Sequence, residues 1–174
     1  MRKGLCSSIA ATVLSFDVSA CEIGKIGELF EYVCVGSQLQ QEQIGQIAQQ
    51  RAKYYGMSFE PFPRQLSKQL GVDEGWAISY KNLETYFVSF GHDEKRKYCT
   101  VSVKNEIKEL LRSYIEEKYS NSRKIADEVQ RASSVLVYSV DLWGYAKGAI
   151  ISIQAVESDD PDLKMSHISL VQTQ

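Results

Sequence analysis

Strand-like sequence falls into two separate blocks with a helical stretch between them, and that order limits the folds open to this chain. The first block holds Trp76-Ala77-Ile78-Ser79-Tyr80, Thr85-Tyr86-Phe87-Val88-Ser89-Phe90 and Tyr98-Cys99-Thr100-Val101-Ser102-Val103, all rich in branched and aromatic residues. Gly91 to Arg96 reads as a charged hairpin tip between the last two. The second block predicts three more strands, Ser134–Leu142, Gly148–Val156 and Met165–Gln172, with turns at Tyr145 to Gly148 and Ser158 to Leu163. Consecutive strand groups with helices before and between them predict an α+β fold with a largely antiparallel sheet of about six strands.

Helical periods fill the rest. Ile23, Ile26, Leu29, Phe30 and Val33 recur at three- and four-residue steps and define one apolar face ahead of Gly36. Ser37 and Gln40 have capping-box spacing for a second helix, with Leu39, Ile44, Ile47, Ala48 and Ala52 inward and Gly56 ending it after Tyr54. Glu60-Pro61-Phe62-Pro63 reads as a connector leading to a short helix through Leu66 and Leu70. Asn105 caps a third helix with Ile107, Leu110, Leu111, Tyr114 and Ile115 on its face, the crossover helix of the fold. A polar link at Ser120-Asn121-Ser122 leads to one more short helix. Trp76, Tyr80, Tyr86 and Phe90 are expected in the core.

The N-terminus has its own pattern. Met1-Arg2-Lys3 is basic, Leu5 to Phe16 is mostly apolar, and Val18-Ser19-Ala20 places small residues before Cys21. Charged start, apolar run and small-residue site in that order are the layout of a secretory signal peptide. Residues 1–20 are therefore expected to be a leader and 21–174 a single α+β domain. Val18-Ser19-Ala20-Cys21 also resembles the lipobox of bacterial lipoproteins, although Asp17 fits neither kind of signal. The resemblance implies lipidation of Cys21, membrane anchoring through it, and a place in the periplasm or outer envelope of a bacterium. Ordinary signal peptidase would cut the same bond and leave the thiol free. The remaining alternative is a cytosolic α+β domain in which Leu5 to Phe16 packs against the body.

Export bears on the cysteines. Cys6 lies in the leader, and a lipidated Cys21 leaves Cys34 and Cys99 as an even pair in an oxidising compartment. A bridge between them would pin the first helix to the middle of the sheet; two separate buried thiols are the alternative. The formal net charge is −2, and losing Arg2, Lys3 and Asp17 makes the mature part about −3. Such a domain lacks the basic face that nucleic acid requires.

The residues offer little chemistry. His92 and His167 are the two histidines, no spacing matches zinc, and no nucleophile elbow, phosphate loop or dinucleotide fingerprint is present, so no cofactor is implied. His92, Asp93 and Glu94 are the groups from which a small periplasmic hydrolase would draw. Lys95-Arg96-Lys97 is nearly neutralised by Asp93 and Glu94, and Asp159, Asp160 and Asp162 lack the glycine and glutamate of a calcium loop. Trp143 and Tyr145, beside Gly144, are the candidate partner-binding aromatics; a turn folded back on its own sheet accounts for them equally. The reading that follows is an exported, non-catalytic binding protein, an inhibitor, immunity or assembly factor acting on a protein partner. The hydrolase is its alternative.

Overall fold

Both blocks of strand-like sequence become antiparallel meanders, and the two join edge to edge in one sheet. The structure is a computed structural model that describes residues 24–173 apart from 81–83, 131–132, 143, 146–147, 157, 159 and 161–163. The first meander is β1 (Ser58–Pro61), β2 (Glu74–Tyr80), β3 (Glu84–His92) and β4 (Arg96–Val103). The second is β5 (Arg123–Gln130), β6 (Ser133–Ser139), β7 (Ala149–Val156) and β8 (Met165–Thr173). Their order is β1-β2-β3-β4-β8-β7-β6-β5, so the halves meet along β4–β8, from Arg96↔Thr173 to Val103↔Ser166.

The sheet has eight strands, two more than the sequence patterns predict. β1 occupies the expected connector and β5 the expected short helix. Both are edge strands, where one-sided burial does not impose a period of two. β5 is misleading for a further reason. A register shift between Lys124 and Ala126 breaks its alternation, and exposed Ile125 and Val129 stand four residues apart like a helical pair.

Residues 24–35 form α1, whose last turns, Phe30–Val35, are π-helical, with the Gly36 amide donating to the Glu31 carbonyl at 2.7 Å. α2 is Gln41–Tyr55, α3 Arg64–Leu70 and α4 Lys108–Lys118. α2 ends on Gly56 at φ 67°, a left-handed position that glycine adopts without Cβ strain. The Ser37–Gln40 box does not form. Ser37 is buried and its hydroxyl donates to the Cys34 carbonyl, while Gln40 sits at the N-cap with no side-chain cap. Asn105 does not cap α4 either. That helix starts later, and Ser166 of β8 accepts from the Ile107 amide and donates to the Asn105 carbonyl.

One face of the sheet carries the core. Across neighbouring strands, Trp76, Val88, Val101, Ile168, Ile153 and Leu136 are directly opposed, so their side chains share a face. α2 lies over β1–β3, α1 over β4 and β8, and α4 over β7. Ile26, Leu29, Phe30 and Val33 of α1, Ile44, Ala48 and Ala52 of α2, and Leu111 and Ile115 of α4 complete that layer. Trp76, Tyr86 and Phe90 are buried in it, with Tyr80 packed at its margin.

Cys34 of α1 is disulfide-bonded to Cys99 of β4, and both are fully buried. The bridge ties the first helix to the middle of the sheet across a separation of 65 residues. A loop of that length is worth about 4 kcal/mol by the chain-entropy account. Replacing both cysteines with alanine is expected to lower the unfolding free energy by about 2–4 kcal/mol. Urea unfolding of the two forms provides the comparison, and coincident midpoints would contradict it.

Candidate functional site

The β3–β4 hairpin gathers the charged residues singled out for chemistry, and they are largely spent on one another. Asp93 Oδ1 accepts the amides of Lys95 and Arg96, and Asp93 Oδ2 accepts from Arg96 Nε and Nη2 at 3.0 and 2.8 Å. The Arg96 hydrogen bonds hold the Asp93 carboxyl below its ordinary value. His92 Nδ1 lies 2.6 Å from Asp73 Oδ2. A cleft of about 460 Å³ is lined by His92, Asp93 and Arg96 together with Tyr98, Thr100, Ser169 and Val171. Glu94 does not line it; that side chain flanks a neighbouring cleft with Lys95 and Thr173. Among the described residues no group of three His, Cys, Asp or Glu side chains is placed to hold a metal ion.

Tyr145 turns back toward the helices. It is half-buried, and its hydroxyl donates to the carbonyls of Cys34 and Val35 at 2.9 and 2.8 Å. Those carbonyls end the π-turn of α1, and burial pushes the phenol above its ordinary value. Trp143, its companion in the sequence reading, lies outside the described residues, as do Cys21, Asp159 and Asp162.

The sheet face opposite the helices is the larger surface. Strand register sorts its side chains into rows that run across the strands. Ser89, Thr100, Ser169 and Ser152 form one row over β3, β4, β8 and β7, with Thr100 Oγ1 and Ser169 Oγ hydrogen-bonded at 2.8 Å. The next row is Phe87, Ser102, His167, Gln154 and Val135. Tyr98, Val171, Ile150 and Ser139 flank the hydroxyl row on its other side. From β2 to β6 the described outward-facing residues of the strands include no Asp, Glu or Lys, and Arg96 at the start of β4 is their one Arg. Charge returns on β5, with Arg123 and Glu128. Charged residues make up 24% of the whole chain, so their absence here is a property of this face.

Among the described residues, the β1–β2 connection is what reaches over this face. Phe62 lies against Gly75, where an added Cβ would meet its ring at 2.2 Å, and its ring centroid is 6.1 Å from that of Phe87. The Tyr98 ring covers Gly91 and its hydroxyl donates to the Gly71 carbonyl at 2.7 Å. The rest of the face carries no helix, since α1, α2 and α4 contribute to the opposite layer.

His167 sits near the centre, on β8. Its Nδ1 is 2.7 Å from Ser102 Oγ, and Gln154 stands opposite on β7. Burial holds its imidazole below the ordinary histidine value, which favours the neutral ring. A neutral ring both donates and accepts hydrogen bonds, as hydroxyls and amides do. Apart from Arg96, the outward positions from β2 to β6 are thus apolar groups and ambivalent polar ones. The sequence holds the signal for this. Apart from Arg96, the polar outward alternates of these strands are Ser, Thr, Tyr, Gln and His, and the other charged residues of β2 to β4, Glu74, Glu84 and Lys97, stand at strand starts on the opposite phase. Reading that signal requires the register, because a slip of one residue would send the set inward.

Comparison with known protein families, with curated proteins and with solved structures returns no match to this chain. Functional inference therefore rests on the geometry.

The lowered pKa of His167 has a sign that can be measured. Its folded-state value lies below the unfolded value of about 6.5, so the unfolded chain binds more protons between the two. The stability this ring supports is complete above about pH 6.5 and is lost as pH falls through the folded value. His167→Gln is expected to lose less stability than the parent between about pH 7.5 and 5.5. Urea midpoints at the two pH values supply the test, and an equal acid shift in both proteins would refute it.

Proposed function

We propose that this protein is an exported, non-catalytic binding module whose outer sheet face docks a protein partner. The observation that carries this reading is the part of the face beyond the β1–β2 connection, where the outward strand positions from β4 to β6 are uncharged apart from Arg96 while α1, α2 and α4 lie on the opposite side. Interface cores are depleted of charge, because every buried ion must be paired or neutralised, whereas ordinary solvated surface is not. The four strands beyond that connection, about 4.8 Å apart with about six residues each at about 3.4 Å, span about 19 by 20 Å, on the order of 400 Å². Burying this with a matching partner surface gives about 800 Å² in total, the scale of a small, transient interface.

The leader reading completes the proposal. Residues 1–20 act as a signal peptide, and Cys21 is the lipid-bearing residue of an envelope-anchored form. The buried Cys34–Cys99 bridge supports an oxidising compartment. An inhibitor, immunity or assembly role fits a module of this kind.

A photo-crosslinking residue placed at Ser152 or Gln154 in the producing cell is expected to yield a specific adduct. The same residue at exposed Glu117, on the solvent side of α4, is not. Adducts of equal yield from both sites, or from neither, would remove the docking reading. The intact mass of the protein from its native envelope reads the leader separately: a lipidated mass beginning at Cys21 is expected, and an intact Met1 would overturn export.

A further inference from the structure

We propose that the cleft at the β3–β4 hairpin end of the outer face is a binding site for a neutral saccharide. It runs along the β4–β8 seam, from Arg96 past the Tyr98–Val171 pair to the Thr100–Ser169 pair, and Gly71 of the β1–β2 connection lines it. The strand from Arg96 to Thr100, at about 3.4 Å per residue, makes the cleft about 14 Å long, more than one pyranose ring. Its volume of about 460 Å³ lies in the range of small-molecule sites. The inference goes beyond the docking reading and does not depend on it.

Charge in the wall is cancelled before any ligand arrives. Asp93 accepts four hydrogen bonds, from the amides of Lys95 and Arg96 and from Arg96 Nε and Nη2. His92 Nδ1 is held by Asp73 Oδ2 at 2.6 Å. An ionic ligand would break these pairs or leave its own charge unmatched, and either is costly. A wholly apolar ligand would strip water from the Thr100 and Ser169 hydroxyls and return nothing. What the wall still offers is hydrogen bonding without net charge. Among the described residues His92 Nε2 and Arg96 Nη1 have no partner, and Thr100 and Ser169 keep capacity beyond the bond of 2.8 Å they share. The Tyr98 ring and the Val171 side chain supply apolar surface beside them. A pyranose carries the matching groups: a rim of hydroxyls that donate and accept, and a face of C–H groups that rests on an aromatic ring.

The same groups are already fixed, which lowers the ordering cost of binding. Tyr98 donates to the Gly71 carbonyl at 2.7 Å, and its ring lies so close over Gly91 that a Cβ there would meet the phenol oxygen at 2.3 Å. Asp73 and Arg96 fix His92 and Asp93, and the two hydroxyls fix each other.

Titration of the purified, oxidised, isotope-labelled protein with maltotriose, mannotriose and triacetylchitotriose, followed by amide chemical shifts, tests the proposal. At least one sugar is expected to bind with Kd on the order of 1 mM and to shift amides at Gly71, 92–100 and 169–171. Tyr98→Ala removes the ring and is expected to raise Kd about tenfold. Ser169→Ala removes one hydroxyl and is expected to raise it about fivefold. Gln154→Ala, on β7 of the same face, should leave it unchanged. Circular dichroism checks that each variant folds, and Ser169→Ala carries the test alone should Tyr98→Ala not fold. No shift with any of the three sugars, shifts confined to other surfaces, or a Kd that Ser169→Ala leaves unaltered overturns the inference. Tighter binding of glucose-6-phosphate at the same amides also overturns it, since the cleft would then select for an anion. Crosslinking at Ser152 reads the docking face separately, so either reading can fail without the other.

Discussion

The anchoring of α1 across the β4–β8 seam is the constraint on which the remaining structure depends, because the two meanders share their ladder hydrogen bonds along that seam alone. Three kinds of contact hold it. The Cys34–Cys99 bridge fixes it to β4 and contributes about 4 kcal/mol through the unfolded state. Glu31 accepts hydrogen bonds from Tyr114 of α4 and from Tyr119 just beyond it, and Tyr145 reaches the carbonyls at the helix end. A hydrogen bond is worth about 1 kcal/mol, or about 1.5–3 to a charged group, so together the phenols rival the covalent bond. Burial, with Glu31 nearby, keeps the Tyr114 and Tyr119 phenols protonated and able to donate. Lys25, paired with Glu84 of β3 at 2.6 Å, steadies the other end of α1.

With α1 in place, α2 and α4 fall on the same side, one over each half of the sheet. That arrangement makes the two faces chemically unlike. The inner one is apolar and closed, with Tyr138 donating to Glu116 at its margin and its phenol pushed up to about 12, mainly by burial. The outer one carries hydroxyls and aliphatics with Phe87, Tyr98, Gln154 and His167, and Arg96 at its edge. The proposed binding role rests on how each set of groups is used. His92 and Asp93 are held by Asp73 and Arg96 at a charged hairpin, whereas the hydroxyl row is presented across four strands.

Much of this was legible. Residues such as Val88, Val101, Ile151 and Ile168 stand in alternating runs, and one buried face is what alternation records. Thiol parity in an exported, lipidated chain favours pairing Cys34 with Cys99 over two separate thiols, and the bridge is present. Elements with no buried face left no such record: β1 is four residues long with Pro61 at its end, and β5 carries exposed Ile125 and Val129 on either side of charged residues. The caps failed for a different reason. Ser37 and Asn105 have the right local chemistry, but Ser37 bonds the Cys34 carbonyl and Ser166, distant in sequence, takes over at Ile107.

The sequence by itself determined which residues of the main helices and of the six inner strands are helical, extended and buried, because these depend on neighbours a few positions away; the edge strands β1 and β5 were not among them. It also determined that the polar alternates of the inner strands are uncharged. Only the tertiary structure decided that β4 lies beside β8, that the three long helices share one side, and that Ser89, Thr100, Ser169 and Ser152 form a continuous row. Those features join residues far apart in the chain. Their physical cause is the burial of one sheet face under a helix fastened at the seam, which leaves the other face, beyond the β1–β2 connection, without a helix.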